Sequence, residues 1–70
     1  MSDQKGPREV AADSLPFETN PDDLEYVRKE DVSGEEHRTY RYFDESFGLK
    51  YQVRVVGTKW GWGHPKVREL

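Results

Sequence analysis

The chain has 70 residues, 33% of them hydrophobic and 36% charged, with a formal net charge of -3. That length allows one small domain and excludes a multidomain enzyme, and such a domain buries only about 60% of its unfolded surface, so the core must be thin. The absence of cysteine excludes disulfides and thiolate zinc sites, and no apolar run approaches the ~20 residues of a membrane helix or forms the h-region of a signal peptide, so the expectation is a soluble, cytoplasmic protein without a membrane partner.

Residues 1–14 show no sustained period of 2 or 3.6 and contain Gly6, Pro7 and small polar residues. Such a segment cannot bury enough area to offset its ordering entropy, and it is expected to be a disordered acidic arm. Residues 15–70 are then a single small β domain. Leu15 and Phe17, on either side of Pro16, have the character of an extended clip that docks on a sheet.

Residues 20–34 admit two readings. Asn20 as N-cap, Pro21 at the first helical position, acids at 22 and 23 and bases at 28 and 29 suit a helix closed by Gly34. Its apolar residues Leu24, Tyr26, Val27 and Val32 make a poor stripe for packing on a sheet. The strand reading runs from 24 to 31, after a single tight turn at Pro21–Asp23 and joined to the next strand through Val32-Ser33-Gly34-Glu35, and it is favoured because three strands with one apolar face can stand where two cannot.

Two further strands are expected at 37–43, where β-formers interleave with bases, and at 49–57, where Leu49, Tyr51, Val53 and Val55 alternate with polar residues. Asp44 to Gly48 between them has the composition of a hairpin loop with glycine in the left-handed region. After Gly57, the run Lys59-Trp60-Gly61-Trp62-Gly63-His64-Pro65 is expected to be a loop that folds back, ending in a short docked tail at 67–70. The predicted fold is thus mainly β, a small three-stranded antiparallel meander with a disordered N-terminus, becoming α+β if residues 21–30 are helical.

The charge is divided along the chain. Residues 1–36 hold eleven acids and four bases, whereas residues 37–70 hold seven bases, three acids and seven of the nine aromatics. If Phe43 lies opposite Leu49, one sheet face presents Arg38, Tyr40, Tyr42, Lys50, Gln52 and Arg54. Tyrosines among bases suit the stacking of unpaired nucleobases with phosphates held alongside. A one-residue slip would instead bury Tyr40 and Tyr42. Trp60 and Trp62, two apart, are candidate interface anchors, with one expected to be buried and the other partly exposed.

No nucleophile elbow, phosphate loop or metal-ligand spacing occurs, and the two histidines, His37 and His64, have 26 residues between them. The expectation is therefore no enzyme, no metal and no cofactor. The leading expectation is a non-enzymatic protein-interaction module, an adaptor or inhibitor whose partner is another protein or a second copy. The alternative is single-stranded nucleic-acid binding through an aromatic and basic sheet face. Candidate binding residues are Arg38, Tyr40, Tyr42, Lys50, Arg54, Trp60 and Trp62. Under the nucleic-acid alternative, the acidic arm is a candidate competitor for the basic surface.

Overall fold

A computed structural model describes residues 6–70, and the part of the expected disordered arm at 1–5 lies outside the described residues. The protein is mainly β. A short helix α1 (Pro7–Asp13) and a 3-10 turn (Pro21–Asp23) precede four strands: β1 (Glu25–Val32), β2 (Glu35–Asp44), β3 (Leu49–Thr58) and β4 (Gly61–Glu69). The strands form one antiparallel sheet in the order β1-β2-β3-β4.

Each connection has a local cause. Asn20 caps the 3-10 turn by accepting the Asp22 amide at 3.0 Å, with Pro21 at the first position. The helical start signals read at 20–23 are therefore real, but they run for one turn only and residues 25–32 are strand. Ser33 and Gly34, both with positive φ (53° and 83°), supply the two-residue turn whose twist matches an antiparallel hairpin. At the next hairpin the Asp44 carboxylate accepts the Ser46 amide at 2.9 Å, and Gly48 takes a φ of 66°. In the last, the Thr58 hydroxyl accepts the Trp60 amide and donates to the Gly61 carbonyl, at 3.1 and 3.0 Å.

Two expectations are corrected here. Residues 7–13 are helical rather than disordered. Seven residues are too few for a helix to persist alone, and α1 is held by packing: Ala11 and Ala12 are fully buried against the sheet side of the molecule, and Arg8 donates to the Leu24 carbonyl while its guanidinium lies 5.2 Å from the centre of the Tyr40 ring. Alanines let the helix approach closely, and they add little to an apolar count. The second correction is β4, the fourth strand, in place of a loop and tail. Proline is tolerated there because β4 is an edge strand and Pro65 falls in a bulge, where His64, with φ of 50°, and Pro65 are the extra residues opposite Val55.

The core lies between α1 and one sheet face. It comprises Ala11, Ala12, Leu15, Leu24, Tyr40, Val53 and Val55, with Val10, Phe17, Tyr42, Tyr51 and Trp62 packed around it. Phe17 does dock as a clip, its ring 5.3 Å from Tyr42 and 5.5 Å from Tyr51. No helix among the described residues is long and apolar enough to cross a membrane.

Candidate cationic sheet face

Register decides which side chains meet. Phe43 pairs with Lys50 and Tyr40 with Val53, one residue away from the Phe43–Leu49 alignment expected from the sequence. Because side chains alternate between faces, this slip turns Arg38, Tyr40 and Tyr42 toward α1, leaving Lys50 and Arg54 on the opposite face, which no other element among the described residues covers. The cause is economy of apolar surface. Tyr40 is only 3% exposed and supplies core bulk that so hydrophilic a chain cannot find elsewhere.

The seven candidate residues therefore separate into three groups. Arg38, Tyr40, Tyr42 and Trp62 belong to the helix-side face. The Trp62 ring lies over Gly57, its cross-strand partner, so closely that a Cβ there would stand 2.9 Å from the indole, and the Arg38 guanidinium stacks 4.9 Å from the ring centre. Arg38 also donates to the Glu36 carboxylate, and this bond holds the guanidinium pKa above its ordinary value despite partial burial. Trp60 stands alone at the β3–β4 turn, 80% exposed, with the Lys59 ammonium 5.2 Å from its ring. Neither tryptophan is fully buried, contrary to expectation. A shallow depression of about 750 Å³ runs between this turn and the β1–β2 turn, lined by Glu35, Glu36, Gly57, Trp60 and Trp62 among others.

Lys50 and Arg54 form the third group, and the sheet supplies them with neighbours. The β2–β3 register sets Arg41 beside Gln52 and Phe43 beside Lys50, and the β3–β4 register sets Gln52 beside Arg68 and Arg54 beside Lys66. Five cations, Arg41, Lys50, Arg54, Lys66 and Arg68, thus share this face with Gln52 and the half-exposed Phe43, and a sixth, Arg28 of β1, stands on it opposite Thr39 but is paired with Glu30 at 2.9 Å. No acidic side chain of β3 or β4 points to this face, since Glu69 pairs with Tyr51 on the other one. The acids that do share the face, Glu25, Glu30 and Glu35, lie toward β1, and Glu25 stands opposite Arg41. None of the five cations forms an ion pair among the described residues.

This arrangement opposes folding. Directly opposed side chains have Cβ atoms about 4.5–5.5 Å apart, and like charges there are destabilising, as at Arg54 and Lys66. Two depressions lie within the cluster, one of about 420 Å³ among Gln52, Arg54, Lys66, Val67 and Arg68, the other of about 550 Å³ between Arg41, Phe43, Lys50 and Leu70. The larger gap at the Trp60 end mixes carboxylates with indoles and a lysine and presents no single sign of charge, so the cationic face is the stronger candidate.

Sequence reasoning found Lys50, Gln52 and Arg54 but missed Arg41, Phe43, Lys66 and Arg68. For the last two, a signal was present: Lys66 and Arg68 are two apart, as same-face strand residues are, but Pro65 and three nearby glycines concealed the strand. The acidic arm, under the nucleic-acid alternative a candidate competitor for the basic surface, instead packs on the opposite face through Val10, Ala11 and Ala12, with Leu15 and Phe17 after it. No family profile, curated protein or solved structure matches the chain.

Proposed function

We propose that this protein is a non-enzymatic interaction module whose working surface is the uncovered sheet face and whose partner is an anionic macromolecule. The observation that carries this reading is the like-charged Arg54–Lys66 pair inside a cluster of five cations that no carboxylate of β3 or β4 interrupts. Such an arrangement costs stability in the isolated chain, and an anionic partner offsets that cost. The net charge of -3 does not oppose it, because partner attraction follows the local field within roughly 10 Å, the screening length at about 0.1 M salt. The acids that share the face, Glu25, Glu30 and Glu35, lie toward β1 rather than among the cations of β3 and β4.

The test is a titration of the full chain with two anionic probes, a labelled single-stranded oligonucleotide and poly-glutamate of matched length, at low and moderate salt. Binding to at least one is expected, weakening as salt rises and falling at least tenfold in Lys66→Glu. Failure to bind either probe at low ionic strength, or binding that Lys66→Glu leaves unchanged, overturns the reading.

A further inference from the structure

We infer that the anionic partner is single-stranded nucleic acid, bound across β2, β3 and β4 with phosphates on the cations and a base stacked on Phe43. This inference rests on the interaction-module reading and adds the ligand's chemistry to it.

Three features of the face distinguish a nucleic acid from an acidic protein segment. The first is Phe43. It is 51% exposed at the end of β2, on the same face as the cations, and the Lys50 ammonium lies 5.5 Å from its ring centre. An aromatic ring with a cation beside it is the minimal platform on which a base stacks while its phosphate is neutralised, whereas a run of Asp and Glu side chains has no aromatic plane to set there. The second is Gln52, in the middle of the cluster between Arg41 and Arg68. Its carboxamide both donates and accepts, which suits a base edge, while a carboxylate ligand would need donors only. Third, three of the five cations are arginines, whose planar forks pair with phosphate oxygens two at a time.

The same geometry disfavours the other docking modes. An extended peptide binds a sheet most simply by adding a strand at an edge, but the β4 edge beside the cations is interrupted by the His64–Pro65 bulge. A duplex is read by an element that enters its groove, and here the cations stand within a sheet face, on a molecule whose Cα extents are 37 × 30 × 16 Å. Unpaired bases lying flat on a sheet need no projecting element. Successive same-face residues on one strand are about 6.8 Å apart, so Lys50, Gln52 and Arg54 form a regular row along β3, with Lys66 and Arg68 forming a second row one strand away.

The experiment compares a labelled single-stranded 15-mer of thymidine, the duplex of a mixed-sequence 15-mer, and poly-glutamate, using the full chain. The single strand is expected to bind at least tenfold more tightly than either of the others. If all five cations meet phosphates, log K should fall with log salt at a slope of about -3.5, and Lys66→Gln or Arg68→Gln should each reduce that slope by about 0.7. Phe43→Ala should weaken the single strand about 5- to 150-fold and leave poly-glutamate unaffected. Phe43 is half-exposed and outside the core, so the variant is expected to keep the wild-type circular dichroism spectrum and melting temperature. Lys29→Gln, on the helix-side face, is the control that changes nothing. Poly-glutamate binding as tightly as the single strand, or a Phe43→Ala variant of unaltered oligonucleotide affinity, overturns the nucleic-acid inference and leaves the interaction module standing. Tighter binding of the duplex overturns the single-strand preference, and failure of all three probes overturns both proposals.

Discussion

Gly57 is the residue on which the β4 end of the core depends. The Trp62 indole occupies the space a side chain would fill, and Arg38 closes the other contact of the ring. Gly57→Ala is therefore an overpacking substitution, expected to cost about 1–3 kcal/mol, and chemical denaturation should show a lower midpoint together with altered tryptophan fluorescence. An unchanged midpoint would mean that the indole moves aside freely. Tyr42 makes a separate prediction about pH. Burial first, and then the charges of Asp44 and Asp23, raise its phenol pKa above the ordinary 10.0. The folded chain thus holds this proton more tightly than the unfolded chain, and the stabilisation is complete below about pH 10 and lost as pH climbs through the folded value. Tyr42→Phe should flatten the decline of the urea midpoint as pH rises above about 10, and a decline identical to wild type would assign it to other groups.

At the scale of elements, α1 is a structural layer that the chain cannot spare. Residues 11, 12, 15 and 17 carry four of the side chains in or around the core, so removing residues 1–17 should abolish cooperative thermal unfolding, read by near-ultraviolet circular dichroism. A truncated chain with a sharp melt would show that the sheet stands alone. This helix was not legible in the sequence, because its buried face is two alanines with a partly buried Val10, and seven residues span fewer than two full turns. The three strands from 25 to 58 were legible, since alternation of Leu49, Tyr51, Val53 and Val55 and the Ser33-Gly34 turn depend only on local chemistry. Register was not, because a slip of one residue exchanges tyrosines for threonine and phenylalanine on the core face, and only the position of α1 decides between them. The candidate site was half legible for the same reason. Lys50, Gln52 and Arg54 lie on the strand whose alternation is cleanest, whereas Lys66 and Arg68 become neighbours only once β4 is known to pair with β3.

Across the whole molecule, both sheet edges bear features that discourage edge-to-edge pairing. β1 bulges between Tyr26 and Arg28 and runs on through four charged residues, and β4 carries its bulge and a proline. Bulges, charges and prolines at exposed edges are the usual protections against strand addition. They direct association toward faces rather than edges. The strand order also governs how the chain acquires its structure. Every strand pairs with its immediate neighbour in sequence, so the sheet can close as three successive hairpins, each on a timescale of about 1–10 μs, with short loops to close. The contacts of α1 are of another kind: Ala11 and Ala12 share a core with Val53 and Val55, some forty residues away. Their entropy is recovered only when the sheet exists. The contacts of α1 are then expected to form last, and a nascent chain emerging from the ribosome must present β3 before α1 has a surface on which to settle.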